Sequence, residues 1–284
     1  MRYRYYFCER CRPSLIDYLI KNEIKYKISD GWKSSMVVFN IWNTTKNSEE
    51  HLMNLKSLTH RSPIVFAEYT ASEYAKAKLL VMTPKSQYFD ISNHEEAFRY
   101  DCIWINSFGR EVKRHKEQID ILEIHQQPKI NTQRAFWCES TGFSVIFADY
   151  RIVELVKNNS LSGIDFKNVK LKNGTYSDKL FQMTSSNILD EDCIVFGYGE
   201  KTLECPVCKR KQYAVDTSYQ LHLNFNKIQN ESDLYVTKNI FGEGIAYPTY
   251  IVSQRFYKLI KDNKLAGGIV FEPVAEQNNQ GTVL

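Results

Sequence analysis

Two segments about 104 residues apart in the chain share one residue pattern. Residues 148–163 align with residues 252–267 without a gap, and six of the 16 positions are identical. The identical pairs are Arg151 and Arg255, Leu155 and Leu259, Lys157 and Lys261, Asn159 and Asn263, Leu161 and Leu265, and Gly163 and Gly267. A repeat of this kind predicts two copies of one structural unit, which restricts the fold more than any other feature of the sequence.

Each copy has the pattern of a helix, a tight stop and a strand. Asp149 and Ser253 are residue types that cap helix N-termini, and the apolar residues after them share one broad helical face. Asn159 and Asn263 can take the left-handed conformation that ends a helix. The chain then turns at a glycine into a strand. The predicted strands cover residues 164–171 and 269–274.

The similarity extends upstream of the helices. Residues 143–147 align with residues 247–251, and further back Cys102 falls near Cys205. The repeated unit is therefore predicted to be a hairpin, a helix and a strand, and the fold class to be mixed α+β. No linker separates the copies. We expect an N-terminal half over residues 1–178 and a C-terminal half over residues 179–284, packed as one body or across a shared interface.

Other elements are predicted from local patterns. The apolar spacing after Pro13 indicates a helix over residues 13–25, and residues 35–42 have the composition of a buried strand. Thr70 and Glu73 form a capping-box pattern that predicts a short helix. A hairpin is expected over residues 100–126, and the alternation within residues 117–125 predicts a half-exposed strand.

The strongest local signal for chemistry is a pair of Cys-x-x-Cys motifs. Cys205-Pro-Val-Cys208 can direct two thiolates at one tetrahedral metal, and Cys8-Glu-Arg-Cys11 has the same spacing. In the first interpretation of the sequence, the two pairs together supply the four ligands of a closed structural zinc site. Cys205 and Cys208 would then form a zinc-ribbon-like knuckle. In a second interpretation one pair is completed by other ligands, namely Cys102, Cys138, His115 or His222. In a third interpretation the cysteines bind no metal.

Nothing in the sequence selects a catalytic centre. Cys102, Cys138 and Cys193 lie in apolar surroundings, where buried inert thiols are the common case, although a Cys–His nucleophile pair stays open. The phosphate-binding, dinucleotide-binding and serine-hydrolase motifs are all missing from the chain. We therefore expect a protein that is not an enzyme.

Composition and charge restrict the location and the partners. The formal net charge is +4, which is low for a dedicated nucleic-acid-binding protein. The N-terminal residues lack a signal-peptide pattern, and no apolar run is long enough to span a membrane. The expected location is the cytoplasm. The seven cysteines then favour metal binding over disulfides, because that compartment is reducing.

The C-terminal copy carries a family resemblance. The segment 251–267, followed by Phe271-Glu-Pro-Val274, resembles the C-terminal signature of bacterial immunity proteins, including the double-CxxCG group associated with interbacterial toxins. The resemblance covers about the last 80 residues, with an echo at residues 148–169. It implies a cytoplasmic protein that binds and blocks a delivered toxin, and paired cysteines that form a zinc knuckle.

The resemblance assigns residues only in part. Cys205 and Cys208 match one Cys-x-x-Cys pair, and Cys8 and Cys11 would match the other, but the glycine expected after each pair is replaced by Lys209 and Arg12. We therefore expect a non-catalytic immunity protein with structural zinc, a cognate toxin as its partner, and neither a membrane nor nucleic acid as a target. The alternative is a zinc-ribbon protein that binds nucleic acid through residues 113–116 and 209–211. The toxin-binding residues and the oligomeric state do not follow from the sequence.

Overall fold

The computed structural model describes most of the chain. The described ranges are 2–30, 35–59, 63–85, 88–105, 109–130, 133–139, 145–195, 201–214, 220–238, 241 and 247–277. The fold is mixed α+β, as the sequence predicts. Among these residues no helix is long and apolar enough to cross a membrane.

The chain divides into two compact units, and the division differs from the predicted halves. Unit 1 contains residues 1–74 and 216–220, and unit 2 contains residues 75–215 and 221–284. The predicted boundary between residues 178 and 179 falls inside a strand, Tyr176–Thr184, whose hydrogen bonds tie both of its ends into one sheet.

Unit 1 is a four-stranded antiparallel sheet covered on one face by two helices. Its elements in chain order are β1 (Arg2–Arg10), α1 (Pro13–Lys21), β2 (Tyr26–Asp30), β3 (Ser35–Trp42), α2 (Ser48–Leu58) and β4 (Ile64–Glu68). The strand order is β2-β3-β1-β4, and every pairing is antiparallel. This order of elements and strands defines the ferredoxin-like βαββαβ arrangement.

The core of unit 1 explains why both helices lie on the same face. Leu15 and Leu19 of α1 and Leu55 of α2 are fully buried against Phe7 of β1 and Phe39 of β3. The rings of Phe7 and Phe39 stack with centroids 4.6 Å apart. The alternation of β1 and β3 therefore sends every second side chain to the helices and leaves the others on the opposite face.

The chain passes from unit 1 to unit 2 within the helix α3 (Ala71–Lys76). It starts with the predicted capping box: Thr70 N–H donates to Glu73 Oε2 at 2.7 Å, and Glu73 N–H donates to Thr70 Oγ1 at 3.3 Å. The predicted helix after Pro13 and the predicted strand over residues 35–42 are likewise confirmed by α1 and β3.

Unit 2 contains two larger sheets and several short ones. Its first elements are β5 (Leu79–Pro84), β6 (Tyr88–Phe89), α4 (His94–Ala97), β7 (Phe98–Ile105), β8 (Glu111–Gln118), β9 (Glu123–Ile124), β10 (Phe136–Glu139), β11 (Ile146–Asp149), α5 (Tyr150–Asn158), β12 (Asp165–Leu171) and β13 (Tyr176–Thr184). The rest are β14 (Ile188–Leu189), β15 (Ile194–Val195), β16 (Lys201–Glu204), β17 (Lys211–Ala214), β18 (His222–Leu223), β19 (Leu234–Thr237), β20 (Tyr250–Ser253), α6 (Gln254–Asp262), β21 (Ile269–Pro273) and β22 (Ala275–Glu276).

The hairpin predicted over residues 100–126 is present as β7 and β8, but the strand predicted over residues 117–125 is wrong. β8 ends at Gln118, whose side-chain amide donates to the backbone oxygen of Asp120 at 2.9 Å. The Asp120 carboxylate in turn accepts from the N–H of Ile121 at 2.6 Å. This local turn chemistry interrupts the alternation before β9 begins.

The two predicted copies contain the same local elements. α5 begins after Asp149 and α6 after Ser253, and both caps accept a backbone N–H from the first turn of their helix. Past each helix, the side-chain amides of Asn159 and Asn263 donate to the carbonyl four residues earlier, both at 2.9 Å. The left-handed residues come one position later than predicted. They are Ser160 and Lys264, because Asn159 and Asn263 occupy the C-cap positions.

The sheets around these helices also match in strand register. In the first sheet β11 pairs with β10 on one side and β13 on the other, and β12 pairs with β13. In the second sheet β20 pairs with β19 and β5, and β21 pairs with β5. Equivalent residues face each other in both sheets: Phe166 lies opposite Met183, and Phe271 lies opposite Met82.

Two glycines mark reciprocal contacts between these sheets. A Cβ atom on Gly163 would lie 3.1 Å from the carbonyl oxygen of Leu234 in β19. A Cβ atom on Gly268 would lie 2.2 Å from the carbonyl oxygen of Phe136 in β10. Both glycines have positive φ, so other residues would add strain as well as overlap. Leu234 and Phe136 occupy equivalent register positions, but Gly268 follows Gly267, the residue that aligns with Gly163, so the two contacts are similar and not equivalent.

Candidate metal centre

Four side chains that can hold a metal converge between two hairpins of unit 2. They are Cys102, His115, Cys205 and Cys208, and their ligand atoms all lie within 4.8 Å of one another. The first two belong to the hairpin of β7 and β8. The other two lie in the turn that joins β16 to β17. Each hairpin thus contributes two ligands.

The β7–β8 hairpin brings together residues that are 13 positions apart in sequence. Its antiparallel register pairs Tyr100 with Lys116 and Cys102 with Arg114, which places Cys102 beside His115. Both side chains are buried, and His115 Nδ1 lies 3.3 Å from Cys102 Sγ. His115 has a φ of 57° within the strand, a conformation that persists only where surrounding structure enforces it.

The turn between β16 and β17, which we call the knuckle, carries Cys205 and Cys208. The N–H of Lys209 donates to the oxygen of Cys205, and the N–H of Cys205 donates to the oxygen of Arg210, both at 2.9 Å. Lys209 has a φ of 64°, so it occupies the left-handed position that favours glycine. Lys209 therefore adopts a conformation that a glycine would adopt without strain.

The surroundings of Cys205 lower the pKa of its thiol. Burial raises this pKa, but hydrogen bonds from the backbone N–H groups of Cys208 and Val207, together with hydrogen bonds to the side chains of Cys208 and Cys102, outweigh burial. Backbone donors of this kind support the sulfur of a metal-bound cysteine. Cys205 is fully buried and Cys208 is exposed, so the cluster lies just beneath the surface.

The distances fit a tetrahedral zinc ion. Ideal zinc–nitrogen and zinc–sulfur bonds place a bound nitrogen and sulfur about 3.5 Å apart in a tetrahedron. His115 Nδ1 lies 3.3 Å from the sulfur of Cys102 and 3.6 Å from the sulfur of Cys208. Three thiolates and one imidazole form a donor set that zinc prefers, and four protein ligands fill its coordination shell.

The same contact between Cys102 and His115 does not fit nucleophilic catalysis. A reactive cysteine needs a lowered pKa and access to substrate. Burial, together with the neighbouring sulfurs of Cys208 and Cys205, raises the pKa of Cys102 to about 12. In the metal-free cluster this thiol therefore keeps its proton, and metal binding must release it.

The structure brings together only half of the first predicted ligand set. Cys205 and Cys208 belong to the cluster, whereas Cys8 and Cys11 do not. Cys8 lies within β1, and Cys11 continues the same ladder by donating its N–H to the oxygen of Ser35 at 2.9 Å. Because an extended chain advances about 3.3 Å per residue and alternates its side chains, these two thiols cannot form a knuckle.

The second interpretation of the sequence, in which other residues complete one Cys-x-x-Cys pair, names both of the remaining residues of the cluster. Cys102 and His115 are in it, but Cys138 and His222 are not. Cys138 is buried in β10, with its sulfur 3.9 Å from the oxygen of Lys85, and His222 lies in β18. The sequence signal for these two ligands was the predicted hairpin over residues 100–126. Its two strands carry Cys102 and His115, which a hairpin can bring face to face.

A buried ion pair lies directly beside the metal ligands. Lys116 Nζ donates to both carboxylate oxygens of Glu139, at 2.7 and 2.9 Å, and the two side chains are 4% and 1% exposed. The ammonium group also lies 3.8 Å from the centroid of the Phe98 ring. Burial lowers the pKa of Lys116, although Glu139 opposes this shift. Lys116 also lines a groove of about 1000 Å³.

Three lysines in the basic runs of the alternative nucleic-acid hypothesis are paired with carboxylates. In residues 113–116, Lys116 is buried in its ion pair, and Lys113 lies 3.6 and 3.5 Å from Glu95 and Glu111. In residues 209–211, Lys209 lies 3.7 Å from Glu204. The charges of Lys113, Lys116 and Lys209 are therefore compensated by neighbouring carboxylates.

Comparisons with known proteins add no relative to this description. No protein-family model matches the chain, and the curated proteins contain no match to it.

Proposed function

We propose that Cys102, His115, Cys205 and Cys208 bind one structural zinc ion that joins two hairpins of unit 2. The observation that carries this proposal is the convergence of the four ligand atoms around a knuckle whose amides already support one sulfur. A zinc ion with four protein ligands has no open position for water or substrate, which is the difference between structural and catalytic sites. The site serves as architecture.

Removal of the metal tests this role. Without zinc the four side chains no longer tie the two hairpins together, so chelation should lower the unfolding temperature of the full chain. Cys102→Ser and His115→Ala should reduce the zinc content and cause a similar loss of stability. The matched control is Cys8→Ser combined with Cys11→Ser, which should keep a full equivalent of zinc. Unchanged thermal unfolding after complete zinc removal would contradict a structural role.

We propose also that the repeated segments derive from two copies of one unit of hairpin, helix and strand. Supporting observations are the similar caps of α5 and α6 and the equal register of three strand pairs. The copies differ in one respect. The central strand β13 follows β12 directly in the chain, whereas its counterpart β5 comes from before the first copy.

For the protein as a whole we propose a non-catalytic, cytoplasmic binding protein of the immunity type, which neutralises a bacterial toxin. Its support is the resemblance of residues 251–274 to the immunity-protein signature. A zinc-stabilised scaffold with no open metal position is compatible with this role, since an inhibitor needs a stable surface and no reaction centre.

Co-expression tests the immunity proposal. The protein should protect bacterial cells from the toxin encoded beside its gene, and the two purified proteins should form a stable complex. Cys102→Ser should weaken protection through loss of folded protein, whereas the double change at Cys8 and Cys11 should preserve it. Full toxicity in the presence of correctly folded, zinc-loaded protein would contradict the proposal.

A further inference from the structure

The sheet of unit 1 has a second face that its helices do not cover. Residues of β1 and β3 alternate, so that Phe7, Val37 and Phe39 point to the helices. Their neighbours Tyr6 and Trp42 therefore point to the opposite face, which we call the open face. The open face consists of Arg2, Arg4, Tyr6, Cys8 and Arg10 of β1, Lys27 of β2, Met36, Val38, Asn40 and Trp42 of β3, and Phe66 and Glu68 of β4.

Three aromatic rings lie on this face within two strand widths. Tyr6, Trp42 and Phe66 are each half-buried, so part of every ring stays in contact with solvent. Arg4 pairs with Trp42 on one side and with Phe66 on the other, which places the two rings on either side of β1. The rings of Tyr6 and Phe66 meet edge to face, with centroids 6.3 Å apart.

The charge on the open face is mainly positive. It carries four basic side chains, Arg2, Arg4, Arg10 and Lys27, against the single carboxylate of Glu68. Glu68 accepts from Arg4 at 3.0 Å and from Arg2 at 3.3 Å. Arg10 and Lys27 are exposed, and neither has an ionic partner among the described residues.

The arginines are stacked against the aromatic rings. The guanidinium carbon of Arg2 lies 4.4 Å from the centroid of the Trp42 ring, and that of Arg4 lies 4.7 Å from the centroid of Phe66. Side-chain exposure is 54% for Arg2 and 30% for Arg4. Cations held in this way are ordered at the surface and can still meet an anion from solvent.

We propose that the open face binds single-stranded nucleic acid. Bases stack on exposed aromatic rings regardless of their sequence, and arginine planes extend the stacking surface while their charge attracts the phosphate backbone. Four-stranded sheets that place aromatic residues on their central strands recognise unpaired RNA by this means. The fold alone would not justify the proposal, because it serves many functions; the combination of three rings with four cations on one face does.

This site is independent of the zinc centre and of the proposed immunity role. All of its residues belong to unit 1, whereas the zinc ligands belong to unit 2. It also differs from the basic runs of residues 113–116 and 209–211, which belong to unit 2. A duplex would not suit the face, because paired bases cannot spread over the rings.

The test uses three labelled 12-nucleotide probes: single-stranded RNA, single-stranded DNA and duplex DNA. Fluorescence anisotropy measures the binding of the zinc-loaded full chain to each probe. Both single strands should bind, the duplex should bind more weakly, and affinity should fall linearly with salt on logarithmic scales. Preference for RNA over DNA would indicate contacts with the 2′-hydroxyl group. Absence of salt-dependent binding to either single strand would overturn the proposal, and so would equal binding of the duplex.

Variants separate stacking from charge. Trp42→Ala or Phe66→Ala should weaken binding about tenfold to a hundredfold, while Trp42→Phe should restore most of the affinity. Arg10→Gln and Lys27→Gln, which change exposed side chains and should not disturb folding, should each reduce the salt slope by about one. Lys56→Gln, on the helix side of unit 1, is the matched control and should change neither quantity. Equal effects of Lys56→Gln and Lys27→Gln would overturn the assignment to the open face.

Discussion

Individual residues with unusual backbone conformations mark the parts of this chain that its sequence pattern describes least well. His115 and Lys209 both have positive φ, and both lie at the metal centre. Lys209 adopts this conformation with an exposed side chain that lies 3.7 Å from Glu204. The candidate centre therefore contains two residues whose backbone conformations are strained.

The buried pair of Lys116 and Glu139 predicts a large effect from a single change. Lys116→Met should lower the free energy of unfolding by about 3–5 kcal/mol, because it leaves the Glu139 carboxylate buried without its cation. The double variant Lys116→Met with Glu139→Met should recover most of this loss. Chemical denaturation of the zinc-loaded protein gives both values.

A surface change in the same hairpin is the control for this pair. Lys113→Met removes ion pairs with Glu95 and Glu111, whose side chains are 76% and 54% exposed, and should cost no more than about 1 kcal/mol. A Lys116→Met variant that loses no more stability than Lys113→Met would show that the burial of the pair contributes nothing.

At the scale of elements, the helices α5 and α6 show which signals the sequence carries reliably. Their caps, their apolar faces and their stops are local, so each boundary was predicted from neighbouring residues alone. The strands that pair around them were harder to predict. The position of β5 beside β20 and β21 depends on residues about 170 and about 190 positions apart, respectively, and no local pattern specifies it.

The caps of these two helices should contribute unequally to stability. Ser253→Ala should cost about 1 kcal/mol, the usual value for a lost N-cap. Asp149→Ala should cost more, because Asp149 is fully buried and also accepts from the Arg151 side chain at 3.0 Å. Thermal or chemical unfolding measures the difference.

Ser57→Ala provides the comparison for both caps. Ser57 is exposed in α2, and its hydroxyl donates to the oxygen of Asn54 within the same helix. Its replacement should change stability by less than about 0.5 kcal/mol. Equal effects of all three changes would argue against a capping role for Asp149 and Ser253.

The whole molecule combines features that sequence reasoning found with features that it missed. The mixed α+β class, the two similar segments and the Cys205–Cys208 knuckle follow from local patterns. The βαββαβ arrangement of unit 1 was missed because β2 and β4 are short, five-residue strands with no distinctive alternation. The other two metal ligands depend on hairpin register, so the sequence could name Cys102 and His115 only as two of four candidates.

An X-ray absorption spectrum is the most direct test of the proposed zinc centre. X-ray absorption at the zinc edge of the purified full chain should show three sulfur ligands at about 2.3 Å and one nitrogen ligand at about 2.0–2.1 Å. His115→Ala should remove the nitrogen signal, and the change of Cys8 and Cys11 to serine should leave the spectrum as it was. Four sulfur ligands that disappear when Cys8 and Cys11 are replaced would contradict the Cys102, His115, Cys205 and Cys208 site.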